Sequence, residues 1–128
     1  MSNQNMKIVS FILAVLTLSA FTFTACNNES AGAVAVENAK TETFNVNGEC
    51  GMCKKRIESA ARAVNGVGDA KWNVDSHAFT ATFDEKKTSV DAIAKAIAAV
   101  GHDAGKFRAD DGVYNNLEEC CHYERTAD

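Results

Sequence analysis

Two cysteines, Cys50 and Cys53, lie three positions apart where the periodicity of the chain changes from strand to helix. Before them, residues 41–47 alternate polar and apolar side chains, which predicts a strand. After them, apolar residues recur at helical spacing through residue 65, which predicts an amphipathic helix over residues 53–65. Two thiols at such a junction can converge on a soft metal ion or join in a disulfide.

The rest of the pattern predicts a small α+β domain. Two further alternating runs, residues 70–74 and 79–83, predict strands, and residues 104–108 are expected to form a short last strand. A second amphipathic helix follows a capping pair formed by Thr88 and Asp91 and ends at Gly101. The order β-α-β-β-α-β predicts a ferredoxin-like sandwich, with a four-stranded antiparallel sheet and two helices on one face. The predicted core is Phe44, Val46, Ile57, Val64, Trp72, Val74, Phe79, Phe83, Ile93 and Ile97.

The N-terminal region predicts export. Lys7 precedes an apolar run of signal-peptide length, and small residues follow it, so residues 1–25 are expected to be a signal peptide. Cys26 follows directly, as at a bacterial lipoprotein cleavage site, and is expected to carry the lipid; ordinary cleavage that leaves a plain thiol is the alternative. Residues 26–40 are small and polar, which is typical of a flexible tether. The protein is therefore expected in the cell envelope, anchored on the periplasmic side.

The folded part is expected to comprise a domain at residues 41–108 and an extension at residues 109–128. The chain has a formal net charge of −4 and no basic stripe, so nucleic acid is not expected as a partner. No set of residues suggests an acid, a base and a nucleophile acting together, and we expect no enzyme.

These features together resemble the heavy-metal-associated domain, the family of copper chaperones, modules of metal-pumping ATPases and small periplasmic mercury-binding proteins. The resemblance lies in the element order over residues 41–108 and in the position of Cys50 and Cys53. It implies binding of a soft metal ion, Cu(I) first and Hg(II) or Zn(II) as alternatives, and a metal-transporting membrane protein as partner. Compared with the family, Gly48 replaces a Met, and His102 replaces a Tyr or Lys beside the metal loop.

Local charge supports thiolate chemistry at Cys50 and Cys53. The first turn of a helix carries the positive end of the helix dipole, and residues 54–56 are all basic. Both features lower a thiol pKa, and thiolate is the form that binds metal. Two sulfur ligands suit Cu(I) or Hg(II) and are too few for a closed Zn(II) site. His102 is expected to be either a solvated loop residue or a third ligand.

The extension holds a second group of soft donors, Cys120, Cys121 and His122. A short helix capped by Asp110 or Asp111 is expected before them. Three interpretations remain open. These residues complete the site of Cys50 and Cys53, or they hold a second ion, or one of the cysteines forms a disulfide with the loop.

The leading hypothesis is a membrane-tethered protein that binds a soft metal ion and transfers or sequesters it in the envelope. The first alternative is an envelope thiol-disulfide oxidoreductase, which would use the same lowered thiol pKa. The second is a lipoprotein stapled by disulfides, because the compartment permits them and four cysteines remain after Cys26.

Overall fold

A computed structural model describes residues 35–125. The elements in chain order are β1 (Ala39–Asn45), α1 (Gly51–Arg62), β2 (Val67–Trp72), β3 (Ala78–Asp84), α2 (Val90–Ala98), the short helix α3 (Asp111–Asn115) and a 3₁₀ turn (Glu119–Cys121). The expected signal peptide and the expected lipid-bearing Cys26 lie outside the described residues. Among the helices at residues 35–125, none has the length and apolar character needed to cross a membrane.

The sheet has three antiparallel strands in the order β1-β3-β2. On the core side, Phe44 of β1 lies opposite Phe79 of β3, with ring centroids 5.0 Å apart. On the other side, threonines pair across the same two strands, and the hydroxyls of Thr43 and Thr80 lie 2.8 Å apart. Alternation therefore separates an apolar face from a polar one, as the sequence pattern predicts. Helix α1 packs against β2 and α2.

The predicted fourth strand at residues 104–108 was wrong. Ala104 makes an isolated bridge to Val46, and the N–H of Gly105 donates to the carbonyl of Asn45 at 2.8 Å. Beyond that point the chain turns back on itself, because Ala104 and Phe107 exchange both of their backbone hydrogen bonds and Gly105 adopts a positive φ of 55°. A strand cannot continue through such a turn, so this segment touches the β1 edge without extending the sheet.

The predicted core is largely confirmed. Seven of its residues are buried: Val46, Ile57, Trp72, Phe79, Phe83, Ile93 and Ile97. Phe44 and Val64 are half-buried against this core. Val74 was wrongly assigned to the core: it lies beyond the end of β2, in a hairpin connection held by Asn73, whose Oδ1 accepts N–H bonds from Asp75 and Ser76, and it is exposed.

Helix boundaries differ from the predicted ones at both N-termini. Helix α1 begins at Gly51, so Cys50 is its N-cap, with extended backbone. Helix α2 is capped by Ser89 rather than Thr88, because the Ser89 hydroxyl accepts the N–H of Ala92 at 3.3 Å. Such hydroxyl caps satisfy N–H groups that the first helical turn leaves free.

Residues 109–125 fold back over the end of α2. Helix α3 is capped by Asp110, whose carboxylate accepts from the N–H groups of Gly112 and Val113. Leu117, nearly buried, packs directly on Gly101, the residue that closes the α2 region at a positive φ of 101°. A side chain at Gly101 would stand 2.9 Å from a Leu117 methyl. The glycine therefore provides both the turn and the space that the tail fills.

The side chains of Arg125 and Tyr123 hold the end of this tail in place. Arg125 places its guanidinium on the Asp103 carboxylate, with nitrogen–oxygen distances of 3.0 and 2.7 Å, and its side chain is 8% exposed. The Tyr123 hydroxyl donates to the carbonyl of Gly101 at 3.1 Å and accepts the N–H of Asp103 at 2.8 Å. Both contacts hold the tail on the loop that follows α2.

We expect Gly101→Ala to destabilise the protein by about 1–3 kcal/mol, because alanine is strained at this φ and its Cβ would collide with Leu117. Gly51→Ala is the matched control. Gly51 opens α1, and a methyl group at this position would have no neighbour within 4 Å among the described residues, so this change should be neutral or stabilising by about a few tenths of a kcal/mol. Urea unfolding of both variants makes the comparison, and equal stabilities would contradict the close packing of Leu117 on Gly101.

Candidate metal centre

The loop between β1 and α1 brings Cys50 and Cys53 together. Cys50 has extended backbone and Cys53 lies in the first turn of α1, so their Sγ atoms are 3.4 Å apart. The N–H of Glu49 points at the Cys53 sulfur from 3.5 Å. Cys53 is fully buried and Cys50 is half-buried. The pair thus opens to solvent through Cys50.

Gly48 packs closely beneath this loop. A Cβ there would lie 3.1 Å from Cys53 Cβ and 3.1 Å from the Trp72 ring. Trp72 in turn donates its indole N–H to the carbonyl of Val46 at 2.9 Å. The Trp72 ring therefore supports the loop from below and occupies the space that a larger residue at position 48 would need.

The tail adds a third sulfur to the pair. Cys121 is buried, and its Sγ lies 3.8 Å from that of Cys50. The sulfurs of Cys50, Cys53 and Cys121 all lie within 4.8 Å of one another, and we call them the inner sulfur group. Of the three interpretations of the tail, this geometry favours the one in which the tail completes the loop site. The four cysteines at residues 35–125 are all free thiols, so this part of the chain contains no disulfide between tail and loop.

Cys50 and Cys121 have pKa values shifted in opposite directions. Burial alone would raise its pKa, but the N–H and S–H of Cys53 both stabilise the thiolate, and the pKa falls to about 7. The pKa of Cys121 is raised, first by burial and then by its contacts with the Cys53 and Cys50 sulfurs. A thiolate at Cys50 is therefore accessible near neutral pH, and a thiophilic ion would displace the protons of any thiols that it binds.

Arg56 is the cation nearest to the buried sulfur of the tail. Its Nη2 donates to Glu118 at 2.8 Å, and it also interacts electrostatically with Cys121. Within the described residues, its Nη1 is buried and has no hydrogen-bond partner. Lys54, by contrast, is directed to Glu58 at 2.8 Å and to the carbonyl of Trp72. Of the predicted basic run, Arg56 is therefore placed to offset the negative charge of a sulfur–metal complex.

Cys120 lies at the exposed side of the inner sulfur group. Its Sγ is 3.6 Å from that of Cys50 and 3.7 Å from the thioether sulfur of Met52. Cys120 is exposed, and Met52 is 47% exposed. Neighbouring residues 120 and 121 thus project to different sides of Cys50, one outward and one into the domain.

The two candidate histidines are not part of the inner sulfur group. His102 is fully buried, and its Nδ1 lies 2.9 Å from the carbonyl of Asn47, which makes it a donor to the metal loop. Burial is the main cause of its lowered pKa, so the ring is neutral. His122 is exposed and lies against the Tyr114 ring, with centroids 5.1 Å apart. His102 thus supports the loop backbone, and His122 packs on the tail.

Comparison with known proteins identifies the family. The model of the heavy-metal-associated domain matches residues 43–103. The copper chaperone CopZ of Staphylococcus aureus is 35% identical over 63 residues, which are 48% of this chain and 93% of that protein. The chain belongs to the heavy-metal-associated domain family. Members of this family are metal-binding carriers and not enzymes.

Two other relatives extend the comparison. Oxidized MerP from Ralstonia metallidurans CH34 has a crystal structure that matches with a TM-score of 0.50 and 31% identity, over 52% of this chain and 94% of that one. A copper-exporting P-type ATPase of Staphylococcus saprophyticus is 36% identical over 55 residues, which are 43% of this chain and only 7% of that protein. The shared region ends near residue 103, so the tail with Cys120 and Cys121 lies outside the matched family model.

Several residues that shape the site were not found from sequence. Arg125 and Asp103, which fasten the tail, are 22 positions apart and carry no local motif. Arg56 and Glu118, which join α1 to the tail, are 62 positions apart. The chain contains many acidic and basic residues, so the sequence does not indicate which two of them form an ion pair. The run of donors at residues 120–122 was the available signal that the tail takes part.

Iodoacetamide should alkylate Cys50 before the other cysteines, because Cys50 is accessible and its pKa is lowered to about 7. The expected rate rises with pH through a midpoint near 7 as thiolate replaces thiol. Tandem mass spectrometry of the alkylated peptides measures this rate for each cysteine, with exposed Cys120, whose pKa is raised, as internal control. A midpoint for Cys50 at or above that of Cys120 would disprove this electrostatic description.

Arg125→Met should loosen the tail, because the Asp103 carboxylate then loses its ion pair while most of the apolar stem is retained. We expect a loss of about 1–3 kcal/mol in unfolding free energy and alkylation of Cys121, which is otherwise buried. Lys106→Met is the matched control, because Lys106 pairs with Asp91 at an exposed site and should change stability by less than about 0.5 kcal/mol. Protection of Cys121 in both variants would show that Arg125 does not fasten the tail.

Proposed function

We propose that this protein binds Cu(I) as cargo through Cys50, Cys53 and Cys121, and holds it in the cell envelope for a metal-transporting membrane protein. The observation that carries this proposal is the inner sulfur group, three cysteine sulfurs within 4.8 Å of one another and two of them buried. Membership in the heavy-metal-associated domain family supports metal as the cargo. The site lies at the same loop that the matched family region includes, and the tail closes it.

Cu(I) is the metal that the donor set fits best. Thiolates are soft ligands and select Cu(I) over the divalent ions that prefer oxygen or nitrogen. The inner sulfur group has three members, whereas a structural Zn(II) site takes four ligands in a tetrahedron. Copper also occurs in the names of the CopZ and ATPase relatives. Hg(II) is the second soft ion to test, because MerP is among the similar structures.

The tail is expected to slow the release of a bound ion from this site. Cys121 reaches the loop while Leu117, Tyr123 and Arg125 are packed on the segment after α2. Release of the ion to a partner therefore needs either exchange at half-buried Cys50 or detachment of the tail. The match to part of a copper-exporting ATPase supports a transporter as that partner. We therefore propose a carrier that buffers Cu(I) and delivers it by ligand exchange.

The envelope location rests on the N-terminal sequence. The apolar run after Lys7 and the cysteine after Ala25 support export and lipid attachment at Cys26. A diacylglycerol and an N-acyl chain together would anchor the protein firmly, since each buried CH₂ contributes about 0.8 kcal/mol. An anchored carrier would present its loop to membrane transporters at short range.

The oxidoreductase alternative is less well supported. A thioredoxin-like fold begins with a βαβ unit that has parallel strands, whereas the sheet within residues 35–125 of this chain is antiparallel throughout. The family comparison likewise points to carriers.

The reduced protein should bind Cu(I) tightly, and replacing Cys50 and Cys53 by Ser together should abolish binding. Cys121→Ser should weaken binding by about tenfold or more, since each tenfold corresponds to about 1.4 kcal/mol and a third thiolate contributes at least that much. Competition with a chromophoric Cu(I) chelator measures these affinities, and the same titration with Hg(II) ranks the two ions.

Cys26→Ser is the control for thiol loss, because Cys26 is not among the proposed ligands; it should leave Cu(I) affinity unchanged and shift the protein from the membrane fraction to the soluble one. Circular dichroism of each variant checks that the fold is retained. Full Cu(I) binding by the folded Cys50→Ser/Cys53→Ser protein would refute the proposed ligands.

A further inference from the structure

The sulfurs around Cys50 form more than one group. Besides the inner sulfur group, Cys50 Sγ lies 3.6 Å from Cys120 Sγ, and Cys120 Sγ lies 3.7 Å from Met52 Sδ. Cys120 does not belong to the set of sulfurs that all lie within 4.8 Å of one another. We call Cys50, Cys120 and Met52 the outer sulfur group. Cys50 is common to both groups.

We propose that this protein binds a second Cu(I) ion in the outer sulfur group, next to the first, with the Cys50 thiolate bridging the two ions. This inference rests on the proposed function, because it takes the inner sulfur group as the first Cu(I) site. A thiolate has enough lone pairs to bind two soft ions, and thioether and thiolate are both ligands that select Cu(I).

The distances fit this arrangement. With a metal–sulfur bond of about 2.3 Å, as in zinc thiolates, three sulfurs around one ion in a plane lie about 4.0 Å from each other. The Cys50–Cys121 and Cys50–Cys53 distances are 3.8 and 3.4 Å, and the two contacts of Cys120 are 3.6 and 3.7 Å. These four contacts are about 0.2 to 0.6 Å shorter than that spacing, so along them the sulfurs would have to separate by less than an ångström to accept an ion.

A single ion shared by all four cysteines fits less well. A tetrahedral site requires every pair of sulfurs to be close, and Cys120 lies outside the compact set. Its neighbour on the far side is instead the thioether of Met52. Exposure also separates the groups, because Cys53 and Cys121 are buried whereas Cys120 and Met52 are exposed. The outer ion would therefore exchange with solvent ligands more readily than the inner one.

Native mass spectrometry of the full-length protein, reduced and titrated with Cu(I) under a weak Cu(I) chelator, tests this proposal. All variants carry Cys26→Ser so that this thiol contributes no ligand. The otherwise unaltered protein should bind two Cu(I) ions, and Cys120→Ser should bind one with unchanged affinity for the first. Met52→Leu should keep the first ion and lose affinity for the second by about tenfold. Glu119→Ala, an exposed neighbour without sulfur, should still bind two.

X-ray absorption provides the second measurement. The two-copper form should show a copper–copper scattering contribution that disappears in Cys120→Ser. Binding of one Cu(I) by the unaltered protein, or of two by Cys120→Ser, would overturn the second site while leaving the proposed function standing. Binding of no Cu(I) at all would overturn both. One Zn(II) held by all four cysteines, with loss of affinity in Cys120→Ser and a single Cu(I), would favour a closed four-thiolate site and also overturn the proposal.

Discussion

The docking of the tail onto the segment after α2 determines what kind of site this protein has. Without it, Cys50 and Cys53 would form a two-thiol loop of the sort that the family region alone provides. With it, Cys121 is held within 4.8 Å of both, although it is 71 positions from Cys50 in sequence. Holding the Cys121 side chain in place in this way raises its effective concentration beside Cys50 and Cys53.

That docking combines apolar packing with a partly buried ion pair. Leu117 fills the space above Gly101, and Arg125 supplies donors to the Asp103 carboxylate, the Ala109 carbonyl and Asp111. Burial raises the pKa of Asp103, but the Arg125 and Ala109 hydrogen bonds outweigh it and the net pKa is lowered. A carboxylate with a lowered pKa stabilises the fold above its unfolded pKa and loses that contribution as the pH falls through its folded value. The tail is therefore held firmly at neutral pH.

The sequence predicted those features that depend on local periodicity and composition. The α+β order, the buried face of the strands and the placement of Cys50 and Cys53 at the start of α1 follow from alternation and helical spacing. The prediction of a fourth strand was wrong because a single glycine in a five-residue segment does not reveal whether the chain continues straight or turns back, as it does at Gly105. The role of His102 was left open between a solvated loop residue and a third ligand, because its burial and its contact with the carbonyl of Asn47, 55 positions away, leave no local signal in the sequence.

For the two proposed sites, the burial of the sulfurs gives metal movement a direction. Met52 and Cys120 are exposed, Cys50 is half-buried, and Cys53 and Cys121 are buried. If the two proposed sites exist, an ion that arrives at Met52 and Cys120 would pass to the inner sulfur group by exchanging one ligand at a time, because Cys50 belongs to both groups. With a shared ligand, the ion would stay bound to at least one thiolate throughout the exchange. It would therefore never have to be released into water as a free ion. Departure by the same steps reverses that order, so a partner that competes for Cys50 would withdraw copper without unfolding the tail.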